Sequence, residues 1–246
     1  MFIVVSAGTS NVELLGSFLR HKRNPDDFYR ALSRRATSEL PFEISGQKVL
    51  DLGCGRGWDA EALAAQGATV TALDLDAELL RTTPLGAAAR LVGDGRQTPF
   101  LDESFDGVYC SNVLEHTPDP GGIIDEVARL VRPGGWVWMS WTNWYSPVGG
   151  HELRFLHYLG PNVGGRIHDR LFGTPEINAI GDGLWPTHIG STLRLVENHP
   201  TLELIDAVPR YYPSQRWILK VPGVREVLTW NCALTLRRRP AQSADE

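Results

Sequence analysis

The stretch VLDLGCGRGWDAEALAAQGATVTALDLD, residues 49–76, constrains the fold most, because it contains a complete strand–loop–helix–strand unit. An apolar run passes into a glycine-rich loop, a helical stretch follows, and a second apolar run ends on Asp74 and Asp76. Two strands that are joined through a helix run parallel, and parallel sheets need helices on both faces. A glycine-rich loop that opens a helix is also typical of a site for a nucleotide-like ligand. The unit therefore predicts a parallel α/β sheet with a ligand at the loop.

The same alternation of strands and helices continues along most of the chain. One helix ends at Gly67, and another ends at Pro133-Gly134-Gly135. The last two strands have only a short helical piece between them, which favours an antiparallel hairpin. We therefore predict an α/β fold with a doubly wound, mostly parallel, seven-stranded Rossmann-like sheet and an antiparallel edge strand. The predicted strands are residues 48–52, 68–74, 88–93, 105–111, 136–143, 201–212 and 228–239, and further helices are predicted at 25–40, 77–83, 121–132 and 214–228.

The 246 residues fit a single domain, and two parts of it stand apart from the alternation. Residues 1–46 are expected to form a helical cover that carries Phe28 and Tyr29. Residues 143–200 hold nine glycines and five of the seven histidines. So long a connection inside an α/β domain is usually functional. We therefore expect residues 143–200 to be an inserted lid region between strands five and six that forms the substrate side of a site.

Composition narrows the class of partner. The net charge of −5 argues against nucleic acid, since phosphate binding needs a concentrated basic surface. The basic run Arg237–Arg239 is expected to be a solvated tail. Residues 210–220 mix bases and aromatics, and a solvated edge is favoured there over a lipid surface. No apolar run approaches the roughly 20 residues of a membrane span, so no stable membrane insertion is expected.

The cysteines bear on metals and on the compartment. Cys54, Cys110 and Cys232 are scattered and form no CxxC pair. A zinc site and a disulfide framework are therefore both disfavoured, and no metal is expected. A reducing cytoplasmic setting is the simplest one for such a chain.

The glycine-rich loop distinguishes between cofactors. Gly53, Gly55 and Gly57 allow the backbone to turn sharply and to approach a ligand closely. A nicotinamide or flavin enzyme would have its third glycine where Trp58 stands. Asp51, inside the first strand, would repel a pyrophosphate but suits a cation. The loop therefore disfavours a nicotinamide oxidoreductase and favours a positively charged cofactor.

These residues resemble the class I S-adenosylmethionine-dependent methyltransferases, in particular their small-molecule branch. Four elements match the family pattern in order and at the right intervals. The resemblance is strong over residues 47–142 and loose over 201–236. The matching residues are Asp51, Gly53, Gly55 and Gly57, then Asp74 after the second strand, Gly93-Asp94-Gly95 after the third, Asp106–Asn112 and Leu114-Glu115-His116 at the fourth, and Arg132–Gly135 before the fifth.

The resemblance implies S-adenosylmethionine as the cofactor. It places Asp74 on the ribose hydroxyls and Asp94 on the adenine amino group, where carboxylates are suitable acceptors. Each also has a local alternative: Asp74 as a helix N-cap, which Asp76 can supply instead, and Asp94 as a turn former. The N-terminal helix is expected to close over the amino-acid end of the cofactor. The implied cofactor-binding residues are Tyr29, Asp51, Gly53, Cys54, Gly55, Gly57, Asp74, Leu75, Asp94, Gly95 and Ser111.

The loop after the fourth strand bears on the methyl acceptor. Amide and nucleobase-amine methyltransferases of the family use an Asn-Pro-Pro-aromatic loop there, but residues 111–114 read Ser-Asn-Val-Leu. A hydroxyl, a carboxylate or a carbon nucleophile remains. We favour O-methyl transfer to a hydroxyl of a small molecule or a carbohydrate-like metabolite. The alternative is a scaffold that binds adenosylmethionine, or an enzyme of another reaction, without methyl transfer.

Histidines are the candidates for the proton acceptor, because imidazole titrates near neutral pH. His151 in the insertion is the first candidate and His116 the second, with solvent as the remaining possibility. On a helix that begins near His151, residues 151, 154 and 158 share one face, with leucines on the other side. Gly149-Gly150 would let this segment move as a lid. The expected acceptor-binding residues are Trp141, Trp144, Arg154 and Tyr158.

Overall fold

The computed structural model describes residues 25–82, 89–175 and 177–240, and the side chain of Phe28 lies outside this description. The chain divides into two compact units, Met1–Asp94 and Gly95–Glu246. That the whole chain acts as a single methyltransferase domain stays a prediction.

The first unit contains helices around a parallel sheet. Its elements are α1 (Pro25–Ser38), β1 (Lys48–Leu52), α2 (Trp58–Ala65), β2 (Thr69–Asp74), α3 (Ala77–Thr82) and β3 (Ala89–Val92). The strands pair in the order β3-β2-β1, all parallel. Four of the five residues of β1 are buried, as expected for a strand that is covered on both faces. Just after α2, Gly67 takes a left-handed conformation at φ 88°, which ends the helix.

The second unit contains the remaining strands and the region that follows β5. Its elements are β4 (Phe105–Ser111), α4 (Pro120–Leu130), β5 (Val131–Thr142), α5 (Pro161–Phe172), β6 (Ala179–Ile180), β7 (Gly183–Leu184), α6 (Ile189–Glu197), β8 (Leu202–Pro209), α7 (Val224–Leu228) and β9 (Asn231–Arg238). Short 3-10 turns cover Leu114–His116, His151–Leu159 and Pro213–Lys220. β4 pairs with β5 in parallel, whereas β9 is antiparallel to both β5 and β8.

The strands β1–β5, β8 and β9 belong to one seven-stranded mixed sheet, and β6 and β7 form a separate short pair. Parallel strands predominate, helices alternate with them, and the antiparallel strand β9 comes last in the chain. The predicted fold class is therefore confirmed. None of the helices in the described ranges is long and apolar enough to cross a membrane.

The junction of α4 and β5 differs from the sequence prediction. The helix ends at Leu130, and the strand already begins at Val131. Pro133-Gly134-Gly135 therefore lies inside β5, where the pairing with β4 shifts register between Phe105 and Gly107. A Cβ on Gly135 would come within 2.5 Å of the Asp106 carbonyl oxygen, so the bulge requires glycine there. The prolyl and glycyl residues shape an irregular strand rather than a turn before it.

The segment after β5 also differs from the prediction. Residues 151–159 do not form one helix, because the chain kinks at Arg154 with φ 53° and ψ −133°. The predicted shared face of His151, Arg154 and Tyr158 is therefore wrong. The physical cause is the buried His157, whose ring contacts the Arg154 and Ser146 carbonyl oxygens, so that the backbone wraps around its imidazole.

Candidate active site

The glycine-rich loop of the first unit has the backbone conformation that its sequence predicts. Gly53, Gly55 and Gly57 have φ angles of 75°, 52° and 73°, in the left-handed region that favours glycine. The N–H groups of Gly53 and Cys54 both donate to the Leu73 carbonyl oxygen, at 2.8 and 3.0 Å. The loop is thus fastened to the end of β2. Cys54 is buried, and burial raises the pKa of its thiol, so that it is not a reactive thiolate.

Asp74 and Asp76, at the end of β2, accept hydrogen bonds from different parts of the backbone. One carboxylate oxygen of Asp74 accepts the Gly55 N–H at 2.7 Å, and the other accepts the Asp76 N–H at 2.9 Å. Asp76 caps α3, because its carboxylate accepts the N–H groups of Glu78 and Leu79 at 2.8 and 3.1 Å. The helix-cap alternative therefore belongs to Asp76, and Asp74 positions the glycine loop.

Asp51 lies in β1, two residues before the first glycine of the loop. It is buried, and within the described ranges its Oδ2 has no hydrogen-bond partner. Burial raises the pKa of its carboxyl well above the usual value, and the nearby charges of Asp59 and Asp74 raise it further. A cation beside Asp51 would relieve this penalty. The site therefore fits adenosylmethionine, which is positively charged at its sulfonium and ammonium groups, better than it fits a pyrophosphate.

Trp58, which occupies the position of a third glycine, connects α1 to the loop. Its ring stacks on that of Tyr29, with centroids 4.8 Å apart and planes 5° from parallel. The Arg56 guanidinium lies 5.9 Å from the Trp58 ring and 3.6 Å from the Asp26 carboxylate. The helix that carries Tyr29 is thus placed beside the glycine loop. Residues 1–24 of the predicted cover lie outside the described residues, and closure over the cofactor stays a prediction. Sequence reasoning read Trp58 only as a missing glycine and missed this contact.

The other residues expected at the cofactor lie at strand ends or in the loops that follow them. Leu75 follows β2 and is 72% exposed, so that its side chain is available to a ligand. Asp94 closes the first unit two residues after β3 and is half-buried. Gly95 and Ser111 belong to the second unit, where Ser111 ends β4. Their contact with the cofactor stays a prediction.

In the second unit, Arg210 lies at the carboxyl ends of β4 and β5. Its Nη1 lies 3.2 Å from the Ser111 Oγ and 3.1 Å from the Ser140 Oγ, and its guanidinium stands 5.2 Å from the Trp138 ring. Sequence reasoning placed Arg210 in a solvated edge and missed this position. A signal was present, because Arg210 directly follows the apolar strand β8, and ligands of open α/β sheets bind beyond strand ends.

The two predicted bases, His116 and His151, lie side by side. Their ring centroids are 5.2 Å apart, and Glu115 offers a ligand atom within 4.8 Å of theirs. Glu115 is buried and accepts the Thr142 N–H at 2.8 Å through Oε1. Burial lowers the pKa of His151, and the neighbouring His116 lowers it further. His151 is therefore a neutral imidazole near pH 7, the form that accepts a proton.

His151 also lines a cavity of about 490 Å³ in the second unit. Arg154 and Phe155 line the same cavity and are exposed. Of the predicted acceptor-binding residues, Arg154 alone is among those that line this cavity. The Tyr158 hydroxyl donates to the Tyr145 carbonyl oxygen at 3.2 Å instead. The remaining lining residues are Thr142, Pro147 and Val148.

The two predicted acceptor tryptophans are buried. Trp141 is fully buried, and Trp144 packs in a small cluster with Leu153, Leu184 and Ile180. Contact between either indole and an acceptor would require this region to open, and it stays a prediction. Gly149 and Gly150 have a packing role: a Cβ would meet backbone at the first and the His157 ring at the second. Lid motion at this pair is likewise a prediction.

Comparison with known proteins bears on the family to which the chain belongs. Residues 50–139 match the model of a family described as a methyltransferase domain. A protein from Mycobacteroides abscessus, named an uncharacterized methyltransferase, is 34% identical in a match that covers 93% of this chain and 94% of that protein. An S-adenosylmethionine-dependent methyltransferase from Mesorhizobium loti has a similar structure, with a TM-score of 0.58 and 21% identity over 84% of this chain and 98% of that one. The cyclase SpnF is similar too, with a TM-score of 0.56 and 17% identity over 87% of this chain and 82% of its own.

The two solved structures show the shared fold alone, since their sequence identity is low. Membership of a family follows from the match to the mycobacterial relative over nearly the full length of both chains. The matched family model covers the glycine loop and the strand ends that carry Asp74 and Ser111. The cofactor is S-adenosylmethionine, and the chain belongs to the class I S-adenosylmethionine-dependent methyltransferases.

Proposed function

We propose that the protein transfers the methyl group of S-adenosylmethionine to a hydroxyl oxygen of a small-molecule or carbohydrate-like acceptor. The observation that carries this proposal is the position of His151, a neutral imidazole that lines a cavity of about 490 Å³. An aliphatic or phenolic hydroxyl keeps its proton near neutral pH, so that its methylation needs a base. A histidine with a lowered pKa, placed beside a cavity, supplies one.

The cofactor is assigned to acidic groups of the first unit. Asp51 faces its positive charge, Asp74 holds the ribose hydroxyls and Asp94 holds the adenine amino group. Bound S-adenosylmethionine supplies an activated methyl group, whose bond to sulfur breaks as the new bond to oxygen forms, with S-adenosylhomocysteine as the second product. The protein then has to align the acceptor and remove its proton.

Proton removal is assigned to the second unit. The hydroxyl proton passes to His151 and from there to solvent, and the carboxylate of Glu115 in the same cluster stabilises the imidazolium that forms. Arg154, which lines the same cavity, binds an anionic or hydroxyl-rich part of the acceptor. The absence of an Asn-Pro-Pro-aromatic loop at residues 111–114 supports oxygen over amide nitrogen as the acceptor atom.

The test measures how fast S-adenosylhomocysteine forms from S-adenosylmethionine when phenols, hydroxy acids or sugars are offered as acceptors. It compares the wild-type chain with a His151→Ala variant. We expect turnover to fall by about 10²- to 10⁴-fold in the variant, with affinity for S-adenosylhomocysteine retained. His188→Ala is the matched control, because His188 stacks on Tyr145 in the same region and lies outside the cluster. Near-normal turnover of His151→Ala at neutral pH would assign proton removal to His116 or to solvent.

If compounds of the panel bind to the protein but no S-adenosylhomocysteine forms, the alternative is favoured, which is a reaction other than methyl transfer. The similarity of the fold to the cyclase SpnF makes this outcome worth measuring. Release that occurs only with amines or thiols would instead contradict oxygen as the acceptor atom.

A further inference from the structure

The cluster of Glu115, His116 and His151 has the composition of a metal centre. One donor atom from each residue lies within 4.8 Å of those from the other two. Two imidazoles and one carboxylate form a common donor set for first-row transition metals. Donor atoms around a zinc ion lie roughly 3.3 Å apart, given bonds of about 2.0 Å, so that modest side-chain rotations close the remaining gap.

Glu115 carries the first independent observation. Its side chain is 1% exposed, and Oε1 is engaged by the Thr142 N–H. Its Oε2 is buried and finds no hydrogen-bond donor within the residues that the structure describes. A buried carboxylate oxygen without a partner is costly, and native proteins rarely keep one without a ligand or an ion. The orphaned oxygen belongs to the same carboxylate that meets the two histidines.

The histidines carry the second observation, because their backbone contacts leave a nitrogen for an ion. The His116 Nδ1 lies 2.6 Å from the Gly183 carbonyl oxygen. A carbonyl oxygen only accepts, so Nδ1 holds the proton and Nε2 has the lone pair. The His151 Nδ1 lies 3.3 Å from the Gly149 carbonyl oxygen in the same way. Metal-binding histidines typically donate their second ring N–H to a carbonyl or a carboxylate, which fixes the tautomer.

The backbone conformation at His151 is the third observation. Its φ of 47° lies in the left-handed region, although it is not a glycine. Backbone in this region costs energy for a residue with a side chain, and it persists where the surroundings hold it in place. Here it brings a side chain from after β5 to the turn that follows β4, across 35 positions of the sequence. Chance packing of a surface histidine does not require such strain.

We propose that Glu115, His116 and His151 form a binding site for one divalent transition-metal ion of the zinc type. Three protein ligands leave one coordination position of the ion open. Because His151 lines the cavity that Thr142 also lines, we expect the open position to lie at this cavity. The catalytic consequence rests on the proposed function. In the metal-free chain His151 is the base, whereas in the metal-loaded chain it would be a ligand, and the ion would supply Lewis-acid chemistry that lowers the pKa of an acceptor hydroxyl.

The test is calorimetry of Zn²⁺ alone against the full chain without a histidine tag, after removal of metals with a chelator. We expect one ion per chain with a dissociation constant in the micromolar range or tighter. Glu115→Gln, His116→Ala and His151→Ala should each weaken binding at least tenfold, whereas His188→Ala should bind as the wild type does. Circular dichroism is used to check that each variant is folded. Glu115→Gln is chosen because its amide oxygen can still accept the Thr142 N–H.

Cobalt substitution gives a second readout, because Co²⁺ with mixed nitrogen and oxygen ligands has visible absorption bands that His151→Ala should abolish. The proposal is overturned if the folded wild-type chain shows no saturable binding of one Zn²⁺, or if the cluster variants bind it unchanged. Zn²⁺ binding without any methyl transfer to hydroxyls would contradict the proposed function and leave the metal site standing.

Discussion

The carboxylate of Asp74 holds the backbone of the glycine-rich loop, and we propose that it also binds the ribose of the cofactor. It accepts the N–H groups of Gly55 and Asp76, which holds the glycine loop against the end of β2. We expect Asp74→Ala to weaken S-adenosylhomocysteine binding by about 1.5 to 3 kcal/mol, the scale of hydrogen bonds to a charged group. Titration calorimetry measures this change directly.

The matched control for Asp74 is its neighbour. Asp76→Ala removes the cap of α3 and should cost about 1 kcal/mol of stability, with cofactor affinity little changed. Equal affinities for the wild type and Asp74→Ala would remove Asp74 from the cofactor site.

We expect replacement of Asp51 to make the folded chain more stable and to weaken binding of the cofactor. Burial, Asp59 and Asp74 raise the pKa of its carboxyl in the folded chain. Between the ordinary carboxyl pKa and this raised value, unfolding releases a proton, so that the folded state loses stability as the pH rises. Asp51→Asn removes this penalty, and we expect it to be more stable at pH 7 by about 1 kcal/mol, or roughly 2 to 4 °C in melting temperature.

Thermal melts at several pH values check the Asp51 prediction. The stability difference between Asp51→Asn and the wild type should be small near pH 4 and grow as the pH rises. The same variant should bind adenosylmethionine more weakly, since the cation loses its partner. A melting difference that does not change with pH would show that ionisation of Asp51 plays no part.

At the scale of elements, α1 is held to the glycine loop by aromatic stacking. Tyr29 and Trp58 are parallel at 4.8 Å, and such a pair contributes about 0.5 to 1.5 kcal/mol. We expect Tyr29→Ala to weaken cofactor binding by up to about tenfold, because the cover loses its attachment. Tyr29→Phe keeps the ring and should bind normally. Calorimetry in which both variants lose affinity equally would assign the effect to the hydroxyl instead of the stack.

The elements of the sheet could be predicted because their signals are local. The run from β1 to β2 combines apolar periodicity with glycines at left-handed positions, and both constraints are set by neighbours in the chain. The glycine loop and the carboxylates at strand ends belong to this contiguous pattern. The β5 boundary was missed because Pro133-Gly134-Gly135 imitates a turn, whereas pairing with β4 draws it into a bulged strand.

The second unit could be predicted only in part, because its contacts join distant positions. The sequence indicated His116 and His151 as separate candidates, and no local pattern placed them beside each other. The helix expected at residues 151–158 failed because the buried imidazole of His157 competes for backbone carbonyls. Arg210 meets Ser111 across 99 residues. The expectation of no metal was based on cysteine spacing, which cannot reveal a cluster of histidine and glutamate side chains such as Glu115, His116 and His151.

At the scale of the whole molecule, we propose that acidic groups of the first unit hold the cofactor and that the second unit carries the acceptor chemistry, which is methyl transfer to oxygen. The direct measurement uses S-adenosylmethionine labelled with ¹³C in the methyl group, a bacterial metabolite extract as the source of acceptors, and NMR of the labelled product. We predict a resonance in the methoxy region, with S-adenosylhomocysteine formed in equal amount. A labelled methyl group on nitrogen, sulfur or carbon, or no S-adenosylhomocysteine at all, would contradict methyl transfer to oxygen.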